Sequence, residues 1–320
     1  MIGYIINRLF QAIIVILLVS IYIFLVMRLL PGDPLTLYVA QTDISGMTEE
    51  DVKALTQKFG LDKPLVVQYF DWMKDVLQGN LGTSILFNDS VSRIIAQRLP
   101  VTLHLGSMAL LFGGIFGITF GVICAIRRGK WPDTVFTILA NIGITVPSFW
   151  VGILLIYLFS LKLNLLPVYG YTSPKENLIL SLQKALMPTL CLSFFTMASL
   201  TRQARSSMLE VIKQDYIRTA WAKGLKERII VFRHAIKNAF IPVITVMGAH
   251  VSFIFGGSVF IESIFGIPGM GKMMTEAVFA QDYQVVQAGV LIISLVVVTV
   301  NFVVDISYGW LDPRIRYSWR

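Results

Sequence analysis

Apolar residues arrive along this chain in long unbroken runs, not in the alternation of a half-buried strand or the single stripe of a surface helix. About 20 residues at 1.5 Å rise cross the roughly 30 Å hydrocarbon core of a bilayer. Six runs approach or exceed that length: 9–28, 102–126, 134–160, 186–202, 240–262 and 285–306, the fourth being the shortest. The pattern between the first two differs. Thr48-Glu49-Glu50-Asp51 reads as a capped helix start, and Pro64 followed by Leu65, Tyr69, Met73, Val76 and Leu77 predicts an amphipathic helix that stops near Gly79. Ser90 to Leu99 predicts a third helix on the membrane surface, with Pro100 opening the next span. No repeat or low-complexity tract intervenes. The expected organisation is a first helix over 1–30, an extracytoplasmic helical segment over 31–100, a five-helix core over 101–310 with a cytoplasmic loop at 202–240, and a tail over 311–320.

Composition agrees with the pattern, with 55% hydrophobic and 14% charged residues and a mean hydropathy of +0.71, values foreign to an ordinary soluble domain of this length. Lysine and arginine then set the orientation. With the N-terminus inside, the inner segments hold sixteen Lys and Arg, including Arg8, Arg127, Arg128, Lys130 and nine in 202–237; the longer outer segments hold ten. The expected fold class is therefore an all-α integral membrane protein with six transmembrane helices, both termini cytoplasmic, and a small helical extracytoplasmic segment after helix 1. The net charge of +8 serves as a topogenic signal. Outer acids nearly balance outer bases and no basic-aromatic groove is apparent, so no nucleic acid is expected as a partner. A cleaved signal peptide over 1–28 is disfavoured, because the apolar run exceeds a usual signal core and Arg28-Leu29-Leu30-Pro31 offers no small-residue cleavage site.

Within the spans, Gly113, Gly117 and Gly121 recur every four residues and lay a smooth stripe on one helix face, suited to close packing or to sliding. Pro147 interrupts the third span beside Asn141, Thr145 and Ser148, polar groups able to satisfy freed backbone atoms or to face a wet path. Glu262 and Asp305 fall near span ends. Only His250 lies well inside, and it is expected to hydrogen-bond a neighbouring helix, which leaves a proton relay poorly supplied. Cys124 and Cys191 are expected as separate buried hydrophobes. The three histidines are too scattered for a metal site. Gly266-Ile267-Pro268-Gly269-Met270-Gly271-Lys272-Met273 imitates the spacing of a phosphate loop, but Met273 stands where Ser or Thr must reach Mg²⁺, and no strand precedes it. It is expected instead as an outer re-entrant turn.

The basic stretch from Arg202 to Lys237 carries the most specific signal. Asp215 can cap a short helix in which Ile217, Ala220 and Trp221 share a face, and Gly224 can supply the left-handed residue that ends it. A short amphipathic helix at the inner face of a membrane protein needs a groove to fill. Asp215, Tyr216, Ile217, Arg218, Thr219, Ala220, Trp221, Lys223, Gly224 and Leu225 are the candidate site residues.

This segment resembles the cytoplasmic loop of binding-protein-dependent ABC importer permeases, specifically the dipeptide/oligopeptide/nickel subfamily. The likeness takes in Leu30-Pro31-Gly32-Asp33-Pro34, Leu81-Gly82-Thr83-Ser84, Arg98-Leu99-Pro100-Val101-Thr102-Leu103 and Arg205-Ser206-Ser207-Met208. It continues through Pro268-Gly269-Met270-Gly271, Asp282-Tyr283 with Val286-Gln287, and Leu311-Asp312-Pro313-Arg314-Ile315-Arg316-Tyr317. Gln284 departs where Pro is common and Ile267 where Trp is common, and the loop opens Arg218-Thr219-Ala220 in place of Glu-Ala-Ala.

The resemblance implies a non-catalytic translocation subunit in the bacterial inner membrane, one half of a path completed by a second related permease. Two cytoplasmic ATPases would bind ATP and Mg²⁺, with no cofactor on this chain. An extracytoplasmic binding protein would deliver substrate, and the helix from Asp215 to Gly224 would be the coupling helix, with Ile217, Ala220, Trp221 and Gly224 transmitting ATPase closure and Tyr216, Arg218 and Lys223 at the rim. Short peptides are the favoured cargo; nickel or other metal chelates and glutathione are alternatives, and the residues lining the path are not assigned. The rival from another class is an ion-gradient-driven secondary carrier. A membrane enzyme ranks last for want of paired carboxylates, a nucleophile with its base, or metal spacing.

Overall fold

The computed structural model describes residues 2–29 and 62–311, and helices make up most of that. The expected helix start at Thr48, the motif from Leu30 to Pro34 and the tail after Leu311 lie outside the described residues. The elements are α1 (Ile2–Leu29), α2 (Leu65–Leu77), α3 (Val91–Ile126), α4 (Trp131–Thr145), α5 (Ser148–Lys162), α6 (Leu178–Ile212), α7 (Asp215–Ala222), α8 (Glu227–Ile264), α9 (Met270–Phe279) and α10 (Tyr283–Leu311). In lipid every backbone polar group must be satisfied within the segment, so continuous helices are the available solution for these apolar runs. Five of them are long and apolar enough to cross a membrane, and α4 with α5 makes a sixth if the pair counts as one span.

Two spans differ from expectation, and the third breaks where Pro147 was expected to interrupt it, with α4 and α5 meeting at 107° across Val146-Pro147. Proline has no N–H to continue the ladder, and the Thr145 hydroxyl turns back onto the Asn141 and Ile142 carbonyls at 3.1 and 3.2 Å. The pair nonetheless tracks antiparallel α6 along its length: Asp133 meets Arg205, Gly143 meets Ala198, Gly152 meets Cys191, and Ser160 meets Met187. The fourth span, expected to be short over 186–202, is a 35-residue helix. Hydropathy fades past Arg202 but the hydrogen-bond ladder does not; the Asn177 side chain caps its start by accepting from Leu180 N–H at 3.0 Å. The expected boundary at Pro100 is absent, and α3 runs unbroken for 36 residues with that proline inside. At about 54 Å it exceeds the hydrocarbon thickness.

The centre of the bundle is the α3–α6 contact, where the glycine stripe is used for tight packing. A Cβ added at Gly117 would stand 2.7 Å from the Met197 carbonyl oxygen, and one at Gly121 would stand 2.6 Å from Thr201 O and Ala204 Cβ. Gly113 sits on Thr196. Around this pair, α1 lies against α10, joined at one end by Arg8 to Asp305 at 3.4 Å and by the Tyr4 hydroxyl donating to Asp305 O at 3.1 Å. At the opposite end α2 folds back on α1. It begins after Pro64 and ends at Gly79 (φ +81°) as the pattern predicts, with Tyr69 bonded to Ser20 at 2.8 Å and Phe24 packed on Tyr69 and Trp72.

His250 corrects an expectation: it is buried (6% exposed) between Phe195 and Phe253, and its Nε2 has no hydrogen-bond partner among the described residues. Both cysteines are buried and free, as expected. Gly121→Ala forces a methyl onto backbone and should lower stability by about 1–3 kcal/mol. Gly114→Ala meets only the flexible Met247 side chain, at 3.5 Å, and should be near neutral. Thermal unfolding of the two purified variants in detergent checks the difference.

Candidate functional site: a helix seated on three span ends

The segment Gln214 to Leu225 folds as a short, firmly terminated helix. The N-cap position belongs to Gln214, not to Asp215, which is the first helical residue and makes no capping bond. Its carboxylate instead receives Arg218 at 3.3 Å on an open surface, an acid suited to the first turn by the helix dipole. At the other end Lys223 is the C-cap and Gly224 takes φ +70°. Gly224 N–H bonds to Trp221 O at 2.9 Å and Leu225 N–H to Ala220 O at 3.3 Å, the paired bonds of a Schellman motif. Nothing lies within 4 Å of a Cβ built at Gly224, so backbone conformation, not space, is what favours glycine there.

The face formed by Ile217, Ala220 and Trp221 divides in two. Ile217 is fully buried and Ala220 is 6% exposed, both within this chain's own cluster of Ala125, Met208, Ile230, Val231, Ala235 and Ala239. That cluster gathers the end of α3, the end of α6 and the start of α8. Leu225 packs against its edge. Trp221, by contrast, is 50% exposed, and Tyr216, Arg218, Thr219, Ala222 and Lys223 stand open beside it. The Tyr216 hydroxyl accepts from the Asn238 amide at 2.7 Å, tying the helix to α8 a second time. Sequence spacing grouped Ile217, Ala220 and Trp221 because positions three and four apart are neighbours; it could not separate the half facing inward from the half facing out.

A supporting pair was not assigned a role from sequence. The Arg205 guanidinium holds the buried Asp133 carboxylate with two bonds, Nε to Oδ1 at 2.7 Å and Nη2 to Oδ2 at 3.0 Å. Gly129 N–H donates to the same carboxylate at 3.0 Å. The fork joins the α3–α4 turn to α6 three residues before Met208 enters the cluster. Its sequence signal was the acid two residues after Trp131 and an arginine inside the Arg205-Ser206-Ser207-Met208 motif.

The arrangement is that of a polytopic helical membrane protein: a bundle of spans carrying a small helix at one end. Residues 117–317 match the family described as binding-protein-dependent transport system inner membrane component, and residues 1–106 match its N-terminal counterpart. Relatives include a putative peptide permease of Brucella ovis, 40% identical over 99% of this chain and 100% of its own. A probable peptide ABC transporter permease of Sinorhizobium fredii is 38% identical over 98% and 99%. The glutathione transport system permease GsiC of Salmonella choleraesuis is 39% identical over 99% and 100%. Among solved structures, an inward-facing MetNI methionine ABC transporter chain shares the fold, with a TM-score of 0.55, 15% identity, and coverage of 68% of this chain and 96% of that one. The chain belongs to the binding-protein-dependent family, in its peptide-type subfamily, and is a multi-pass permease of an ABC importer in the bacterial inner membrane.

Removing Arg205 strands a buried carboxylate. Arg205→Ala should destabilise the protein by about 3 kcal/mol, whereas Arg205→Lys keeps a charge but loses the fork and should fall between. Melting temperatures of the two variants against the parent check the order.

Proposed function

We propose that α7 is the coupling helix of a peptide importer, seated in the cleft of a cytoplasmic ATPase subunit and moving α3, α6 and α8 together. The observation that carries this reading is the division of α7 into two faces. Ile217 and Ala220 are sewn into the ends of three spans, while Trp221 and its polar neighbours are open. A helix bound that firmly on one side transmits a push on the other as displacement of the spans, which suits alternating access by rigid-body motion. Trp221 is the natural anchor, since half-exposed tryptophans in a groove dominate interface energies. Arg218 and Lys223 form the rim, where charge steers docking more than it holds it.

On this reading both termini and α7 are cytoplasmic, and α2, the α5–α6 connection and α9 face outward. Two ATPases bind ATP and Mg²⁺, a second related permease completes the path, and an extracytoplasmic binding protein supplies the cargo. Short peptides are the proposed substrate class. Relatives named as peptide permeases support it, and the glutathione permease fits, since glutathione is itself a small peptide.

Trp221→Ala should leave membrane insertion and melting temperature unchanged but weaken ATPase-subunit retention by about 2 kcal/mol, roughly 30-fold, and reduce uptake accordingly. Retention on an affinity-tagged permease, with uptake of a labelled dipeptide, reads both. Unchanged retention would remove α7 from the coupling role. Wild-type coupling with uptake of a nickel chelate but no dipeptide or glutathione would overturn the substrate class alone.

A further inference from the structure

The loop that imitates a phosphate site already holds a carboxyl group, and it is the chain's own. Glu262, near the end of α8, is fully buried, and the start of α9 is wrapped around its carboxylate. The Thr102 hydroxyl of α3 donates to Oε1 at 2.7 Å, and Lys272 N–H donates to Oε2 at 3.0 Å. Thr102 Oγ1 in turn accepts from Met270 N–H at 2.8 Å. The glycines are required by contact: a Cβ at Gly269 would stand 2.5 Å from both carboxylate oxygens, and one at Gly271 would stand 2.6 Å from the Val259 Cα. Backbone N–H groups at a helix start favour a carboxylate, and a buried carboxylate is tolerated when bonds surround it.

The far end of α9 is fixed in the same manner. Gln281 takes φ +55°, Asp282 N–H bonds to Ala277 O at 2.8 Å, and the buried Asp282 carboxylate accepts from the Ser84 hydroxyl at 2.5 Å and Leu86 N–H at 3.1 Å. Beside it the Gln284 side chain accepts from Thr83 N–H at 2.7 Å and closes over Gly82. A ten-residue helix touching α3, α8 and α10 is therefore pinned by a buried carboxylate at each end.

We propose that Glu262 is a positioning residue: it locks α9 to α3 and α8 as a rigid outer plate, so that contact by the loaded binding protein is passed to the spans and not absorbed by a loose turn. This rests on the reading above that α9 faces outward. Glu262→Gln leaves one acceptor oxygen for two donors, so either the Lys272 N–H or the Thr102 hydroxyl faces the amide NH2, and Thr102→Val removes the bridge between the carboxyl group and Met270; Thr102→Ser keeps it.

The test uses the complete importer in lipid nanodiscs with its ATPases. Glu262→Gln and Thr102→Val are expected to assemble and keep basal ATP hydrolysis, yet to lose roughly tenfold of the extra hydrolysis evoked by loaded binding protein, while Thr102→Ser restores it. Parental stimulation in Glu262→Gln, or equal behaviour of Thr102→Val and Thr102→Ser, would overturn the proposal. So would failure of both Glu262→Gln and Thr102→Val to assemble, which would make the carboxylate a folding element only. Orientation is read separately from Phe279→Cys, a position 85% exposed: labelling by an impermeant maleimide from outside is expected, and labelling only from the cytosol would refute the outward reading itself.

Discussion

The burial of Ile217 and Ala220 among Ala125, Met208, Ile230, Val231, Ala235 and Ala239 is the contact on which the proposed coupling depends. A helix of eight residues has no independent stability in water, so α7 exists because its apolar side is captured by the ends of three spans. The Schellman turn at Gly224 and the Tyr216–Asn238 bond close the two routes by which it would fray. What is left exposed is left so by elimination: a helix with one face committed inward presents the other outward. Mechanical coupling needs both, since a lever free on the span side would rotate without moving anything.

The rest of the bundle supplies the stiffness that such a lever requires. Between transmembrane helices there is little hydrophobic driving force, and packing of small residues takes its place. Gly113, Gly117 and Gly121 bring α3 within backbone distance of α6, and the Arg205–Asp133 fork fixes their shared end to α4. In the proposed coupling, a push entering at Met208 and Ala125 would therefore reach α3, α4 and α6 together. Beyond the break at Pro147, α5 keeps its contact with α6 through Gly152 and Cys191 and also packs against Phe265 beside the Glu262 loop.

Much of this was legible in sequence where one physical signal decided the outcome. The five continuous spans, the α2 boundaries at Pro64 and Gly79, and the turn at Gly224 follow from apolar length, a fixed proline φ and a positive glycine φ. The glycine stripe was visible too, though not its partner. The failures share a cause: hydropathy reports solvent and not backbone continuity. It ended the fourth span at Arg202 although α6 runs to Ile212, and it placed a boundary at Pro100 although one lost hydrogen bond does not break a helix held on both sides. The inward and outward halves of α7, the solitary Nε2 of His250, and the meeting of Glu262 with Thr102 across 160 residues of sequence depend on tertiary contacts that no local pattern encodes.

Cysteine accessibility at the two faces of α7 tests the lever most directly. With Cys124 and Cys191 replaced by alanine, Trp221→Cys and Ile217→Cys are exposed to an impermeant maleimide in inside-out vesicles, with and without the ATPase subunits. Trp221→Cys should label rapidly in the bare permease and become protected in the complex, while Ile217→Cys stays unlabelled in both. Equal labelling of Trp221→Cys with and without the ATPase, or ready labelling of Ile217→Cys, would contradict the account.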